Sequence, residues 1–283
     1  MRTIEVVYSP LCEATGSMLG KLRHWLEGTD IQINVFPFDS CPQRLKSKFK
    51  KSENCFIEVF YDGDRIDSVP LHRDILYAAL DIPLPLEQEA AAEESPGSTL
   101  SRNELMEALS SGELTFLPIT RSSYREEMSM CLCNYPFGNP PKQFHKACLE
   151  IKDRVFSELW ALEDVAGIYA RYKGTVVGLL EVMPREILKK YGFMTGTVGM
   201  DSSYLSVACY EAGYGITRVD MLELLMKQLI MPFPKFHREY IEGVGIYGWD
   251  DGFNPYWVYE KYDFAESEKL SADTVVMVRK IER

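Results

Sequence analysis

The chain has 283 residues, 46% of them hydrophobic and 26% charged, as in a globular protein with apolar material for one large core or two. With 42 acidic against 31 basic residues the formal net charge is −11, which argues against a nucleic-acid grip, and no apolar run approaches the ~20 residues of a membrane span. The first residues lack the basic-then-apolar layout of a secretory signal, and seven scattered cysteines point to reduced thiols, so a cytoplasmic protein is expected.

The predicted elements begin with a strand at Ile4–Tyr8 and a helix over Thr15–Leu26, where Met18, Leu19, Leu22, Trp25 and Leu26 recur at helical spacing. A second strand at Ile31–Phe36 follows. Ser40-Cys-Pro-Gln43 reads as a capping box opening a short basic helix to about Lys50. Phe56–Tyr61, an Asp62-Gly63 turn and Arg65–Val69 read as a hairpin, and Pro70 introduces a helix through Leu80. This β-α-β-α-β-β-α order predicts an α/β layer fold.

Residues 82–100 carry prolines at 83, 85 and 96 and Glu87, Glu89, Glu93 and Glu94 without a basic partner. Proline blocks regular structure and like charges repel, so this stretch reads as an acidic linker; an irregular surface loop is the alternative. The division is therefore 1–81, linker 82–100, and 101–283.

Beyond it, Ser101-Arg-Asn-Glu104 is another capping box, opening a helix that stops at Gly112. Leu114–Ile119 reads as a strand, Ser122–Cys131 as a helix, Asn134–Pro141 as a loop and Phe144–Leu159 as an amphipathic helix. Strands at Gly167–Tyr172 and Val176–Met183 meet at Lys173-Gly174. A strand at Tyr204–Cys209, a helix at Arg218–Ile230, a strand at Ile241–Trp249, a helix at Pro255–Lys261 and a strand at Thr274–Val278 complete the series.

Residues 1–81, with Cys12 just after the first strand, resemble the glutaredoxin/thioredoxin family, whose Cys-x-x-Cys motif opens the first helix. Here the four residues are Cys12-Glu13-Ala14-Thr15, so Thr15 replaces the second cysteine and Glu13 opposes thiolate formation. Ile57 stands about where the family has its cis-proline. The resemblance implies a thioredoxin-like domain with a degenerate redox site, structural or docking in role; a monothiol or sensor role for Cys12 is the alternative. Cys41 and Cys55 read as small buried residues.

Three stretches of the second part belong together. Ala170–Glu181 is a strand, a tight turn and a strand. Leu205–Leu222 runs a strand through the glycine-bearing turn Ala212-Gly-Tyr-Gly-Ile-Thr217 into an apolar helix, an arrangement that offers backbone N–H groups to an anion. Asn254–Phe264 places Tyr259 on a short helix. In this order they resemble the GNAT (Gcn5-related) N-acetyltransferase family over roughly 101–283. The resemblance implies a GNAT-like mixed-sheet α/β domain that binds acetyl-CoA or another acyl-CoA. It assigns the cofactor loop to Gly213, Tyr214, Gly215, Ile216, Thr217 and Arg218, with Ala212 in place of the usual Gln/Arg. It assigns strand donors to Val207 and Cys209, a cofactor contact to Asn254, and the acid that protonates the departing thiolate to Tyr259. The expected reaction is direct acyl transfer to the amine of a small molecule or peptide. Glu181, Asp201 and Glu211 are candidate bases. A non-catalytic binding or regulatory protein and a thiol redox protein using Cys12 are the alternative functions.

Cys131, Cys133, His145 and Cys148 lie close in sequence but match no strong zinc spacing and read as buried cysteines, so no metal is expected. The stretches Asn134–Pro141 and Met231–Phe236, with Tyr135, Phe137, Phe233 and Phe236, could line an acceptor pocket or pack between the two parts. His24, His72 and His237 read as surface or satisfied histidines.

Overall fold

A computed structural model describes residues 2–11, 14–49, 57–66, 71–84, 100–125, 142–213, 216, 218–230, 236–248 and 255–281. The first sheet joins β1 (Arg2–Tyr8), β2 (Ile31–Pro37), β3 (Ile57–Tyr61) and β4 (Asp64–Arg65) in the order β2-β1-β3-β4. The β1–β2 pair is parallel, and the β1–β3 and β3–β4 pairs are antiparallel. Side chains alternate between the faces of a strand, and β1 uses both. Ile4 and Val6 pack with Met18, Leu19 and Leu22 of α1 (Ala14–Trp25) and with Leu76 and Tyr77 of α3 (Arg73–Ala79). Val7 turns to the other face, where Phe38, Phe49, Phe60 and Leu45 of α2 (Gln43–Lys46) cover it.

The second sheet has seven strands: β5 (Leu114–Thr120), β6 (Val165–Tyr172), β7 (Thr175–Pro184), β8 (Tyr204–Ala212), β9 (Tyr240–Ile246), β10 (Ala265–Lys269) and β11 (Thr274–Lys280), in the order β10-β11-β9-β8-β7-β6-β5. All neighbours are antiparallel except β8 and β9. Lys173 and Gly174, with φ of 48° and 85°, make the tight turn between β6 and β7. Among the described residues five α-helices complete this part: α4 (Arg102–Ser111), α5 (Lys142–Leu159), α6 (Arg185–Lys190), α7 (Arg218–Ile230) and α8 (Tyr256–Lys261).

One face of the sheet, with Leu180, Val182 and Leu205, is covered by α7 through Met221, Leu222, Leu225, Met226 and Leu229, by α4 through Leu105, and by α8 through Val258 and Tyr259. The opposite face, with Leu179, Met183 and Ala208, is covered by α5 through Val155, Phe156 and Leu159 and by α6 through Ile187 and Leu188. The α5 helix has two apolar sides. Ile151 packs against the first core, and α1 lies along α5, so the two sheets share it as a common layer. Ser9 Oγ donates to the Tyr191 carbonyl at 2.8 Å, Arg154 pairs with Asp39, and Phe38 lies against Gly192.

The structure departs from the sequence expectations in several places. No capping box forms at Ser40. That residue ends a 3-10 turn, and Pro42, which has no hydroxyl to accept, precedes the first turn of α2. The box at Ser101 does form, with Ser101 N–H donating to Glu104 Oε2 at 2.8 Å and Glu104 N–H donating back to Ser101 Oγ at 3.3 Å. The fourth strand is only Asp64–Arg65 among the described residues, α3 begins at Arg73, and β9 ends at Ile246 rather than Trp249. Two elements were not expected. Helix α6 is six residues long, too short for a periodic signal, and β10 (AESEK) is an edge strand with no apolar alternation. Cys41 is half-exposed rather than buried. Most of the 82–100 stretch, the helix expected beyond Arg125, and the Asn134–Pro141 loop lie outside the described residues.

Candidate active site

Among the described residues β8 and β9 are the one parallel strand pair in the second sheet, and they frame the candidate site. The pairing holds for three residues, Tyr204↔Tyr240, Leu205↔Ile241 and Ser206↔Glu242, and goes no further. Beyond Ser206 the two strands form a fork, and the β9-facing edge of Val207, Ala208 and Cys209 lies outside the ladder. A β-bulge sits at the same level: Cys209 opposes Glu181 and Val207 opposes Val182, leaving Ala208 as the extra residue on β8. A bulge sharpens the local twist and re-aims the strand, so it belongs with the parting of β8 from β9. Val207 packs toward the α7 side of the sheet and Cys209 toward the α5 side, and both are half-buried.

At the mouth of the fork β8 ends in a turn that leads into α7. Gly213 N–H donates to the Val177 carbonyl at 2.9 Å, and Ile216 N–H donates to the Gly213 carbonyl at 3.2 Å. Arg218 is the first residue of α7, a helix of 13 residues whose N-terminus carries partial positive charge beside the turn. The helix sits close to the sheet because β7 offers Gly178 there; a Cβ at that position would stand 2.4 Å from Met221 Sδ.

Tyr259 lies across the fork on α8. Gly243 directly follows the last β9 residue paired with β8, and a Cβ there would come 2.2 Å from the Tyr259 ring and 2.6 Å from its hydroxyl oxygen. Gly245, two residues on, meets the Tyr256 backbone in the same way. The two glycines let α8 lie flush on β9 and put the Tyr259 phenol at the apex of the fork. Its ring is fully buried and makes an edge contact with Phe264, 5.4 Å between centroids.

Two buried ion pairs flank the fork on the α5 and α6 side. Lys152 Nζ lies 2.6 Å from Glu181 Oε2, with both side chains 1% exposed. Arg185 and Glu242 form the second pair, also 1% exposed. Close by, the Thr197 backbone N–H donates to Glu268 at 2.7 Å and holds that carboxyl below the usual glutamate range, helped by the Thr197 hydroxyl.

Of the residues expected from sequence, the fold gathers Val207, Cys209, Gly213, Ile216, the Arg218 backbone and Tyr259 around one fork. Tyr214, Gly215, Thr217 and Asn254 lie outside the described residues. Among the candidate bases, Glu181 is already paired with Lys152, Asp201 bonds Lys189 at 2.6 Å, and Glu211 is half-buried. Phe236 is buried in the core between the sheet and α7. Cys12, Cys55, Cys131 and Cys133 lie outside the described residues, and the side chains of His145 and Cys148 are not described. His24, His72 and His237 are exposed. Among the described residues no metal-ligating cluster gathers, and no helix is long and apolar enough to cross a membrane. Sequence reasoning missed Lys152, Arg185, Ser206, Glu242 and Gly243. Only Gly243-Val-Gly245, two glycines at strand spacing, carried a signal, that of a close backbone approach.

No protein-family model matches the chain. No curated protein matches it either. Among solved structures it is similar to a histone acetyltransferase HPA2 and related acetyltransferase from Corynebacterium glutamicum, with 12% identity, a TM-score of 0.41, and coverage of 60% of this chain and 97% of that one. It is similar to YncA from Salmonella typhimurium, solved with its cofactor acetyl-CoA, at 8% identity, a TM-score of 0.38, and coverage of 60% and 95%. A third likeness is to the ribosomal-protein-S18-alanine N-acetyltransferase from Escherichia coli, at 9% identity, a TM-score of 0.37, and coverage of 60% and 95%.

Proposed function

We propose that residues 101–283 form a GNAT-like domain that transfers an acyl group, acetyl above all, from acyl-CoA directly to the amine of a small molecule or peptide. The observation that carries this reading is the fork: one parallel strand pair in an otherwise antiparallel sheet, parting after Ser206↔Glu242, with a glycine-bearing turn and a helix N-terminus at its mouth. The donor set fits the group. Backbone N–H groups at a turn before a helix suit a pyrophosphate, and a strand edge outside the ladder suits the amides of a pantetheine arm. The residues that would hold it are Val207, Cys209, Gly213, Tyr214, Gly215, Ile216, Thr217, Arg218 and Asn254. When bound, the co-substrate supplies an activated thioester.

The chain's own residues have three tasks in this reading. The N–H groups of Val207–Cys209 polarise the thioester carbonyl, because the bulge turns that edge into the fork. The Tyr259 hydroxyl gives a proton to the leaving thiolate. The acceptor amine attacks in its uncharged form and releases a proton to a base, for which Glu181, Asp201 and Glu211 are the candidates.

We assign residues 1–81 to a thioredoxin-like domain, supported by the strand order β2-β1-β3-β4 and the alternating elements. With Thr15 in place of the second cysteine its role is docking, in a reducing compartment such as the cytoplasm. Isothermal titration of the full chain with acetyl-CoA tests the central reading. Saturable heat at micromolar ligand is expected; no heat at millimolar ligand leaves the non-catalytic alternative.

A further inference from the structure

Glu242 is the last residue of β9 in register with β8, and its side chain is tied to its own strand partner. The carboxylate accepts from Ser206 Oγ, from the Gly196 N–H at 3.3 Å, and from Arg185 Nε at 3.0 Å, with a second guanidinium nitrogen on its other oxygen. Arg185 also donates to the Val198 carbonyl at 2.7 Å, and its guanidinium carbon lies 3.5 Å from the centroid of the Tyr204 ring. Arg185, Ser206 and Glu242 are all buried. The packing leaves no slack: a Cβ at Gly196 would stand 2.7 Å from Glu242 Oε2 and 3.2 Å from Arg185.

The direction of entry decides what meets this cluster. The anion cradle lies at the mouth, after Ala212. From Ser206 to Gly213 the strand rises ~3.3 Å per residue, or about 23 Å in all. An extended arm laid along β8 with its phosphates at the turn therefore carries its acyl end toward the apex. We propose that Ser206 and Glu242, held by Arg185, form the floor of the acyl slot and restrict the donor to short, uncharged acyl groups. This rests on the acyl-CoA reading above. A longer chain has to break the Ser206–Glu242 bond inside a close-packed cluster. A carboxylate-ended chain meets the charge of Glu242, whose partner Arg185 is already taken, so the apex works by repulsion as well as by fit.

Titration calorimetry of the full chain with CoA, acetyl-CoA, butyryl-CoA and succinyl-CoA tests the proposal. The wild type is expected to bind acetyl-CoA roughly tenfold or more tighter than the butyryl and succinyl forms, the order of discrimination that one or two methylenes or a mismatched charge produces. Glu242→Gln keeps the side-chain shape but leaves Arg185 with only the more distant Asp201, at 3.6 Å, as counter-ion, and the succinyl carboxylate then supplies one at the apex. The succinyl-to-acetyl affinity ratio should rise about tenfold, with CoA itself unchanged. Ser206→Gly lowers the floor and should raise the butyryl-to-acetyl ratio. A merely structural role lowers the affinity of all four ligands together. If the wild type binds none of them, the acyl-CoA reading and this proposal both fall. If it binds CoA but does not discriminate, or if the ratios stay fixed in both variants, this proposal alone falls. Should circular dichroism show Glu242→Gln unfolded, Ser206→Gly decides.

Discussion

Lys152 and Glu181 show how much one pair of side chains can matter here. Each is 1% exposed, so either left alone becomes a charge in the core beside the fork. Removing one partner of a buried pair costs about 3–5 kcal/mol, whereas replacing both with apolar residues of similar size is often neutral. Lys152→Met should therefore lower stability by about that amount, and Lys152→Met with Glu181→Leu should recover most of it. Urea unfolding of the two variants measures the difference, and a double variant as unstable as the single one contradicts the account. Tyr259→Phe removes only a hydroxyl and keeps the ring on Gly243. With an acceptor in hand, turnover should fall by roughly 100-fold or more, within the range of general acid catalysis, while acetyl-CoA affinity stays the same. Equal loss of turnover and affinity would instead make the hydroxyl a binding contact. Glu268 gives a pH signature. Its folded pKa lies below the unfolded value of ~4.3, so its contribution is present above that pH and fades as pH falls through the folded value. The stability gap between wild type and Glu268→Gln should be full at neutral pH and close on acidification, as thermal melts across that range will show.

At the scale of elements, α8 on β9 carries the most weight for the site. Gly243 and Gly245 are the contact surface, and side chains there displace Tyr259 and Tyr256. Gly243→Ala should cost about 1–3 kcal/mol through overpacking and move the Tyr259 phenol away from the fork. A smaller stability loss with an unshifted tyrosine fluorescence would show that the helix can slide. Much of this level was legible in the sequence. The capping box at Ser101, the Lys173-Gly174 turn and the full span of α7 were read from local chemistry, because hydroxyl caps, tight turns and apolar periodicity act within a few residues. The box expected at Ser40 failed on the same local grounds. Pro42 intervened, and the serine was taken up by a 3-10 turn. Helix α6 and strand β10 escaped because one is too short for a period and the other exposes both faces.

For the whole molecule, the decisive feature is α5. It is the wall of both cores, with Ile151 against the first and Val155, Phe156 and Leu159 against the second. Removing the first sheet would strip one side of that helix, and Ser9, Phe38 and Asp39 add specific contacts across the join. The two parts should therefore unfold together. Differential scanning calorimetry is expected to give one transition for the full chain; two separated transitions would show that α5 stays folded without its neighbour. The chain order of most elements and the candidate residues on β8, the following turn and α8 followed from sequence alone, because each rests on spacing within a single element. Only the tertiary structure decided that these pieces converge on one fork, that Glu181 is already paired, and that Arg185 and Glu242 lock the strands where they part. Those contacts join residues 29 and 57 positions apart, and no local periodicity reports them. A buried charge finds its partner through the packing of distant elements, and that pairing exists only once the sheet has formed.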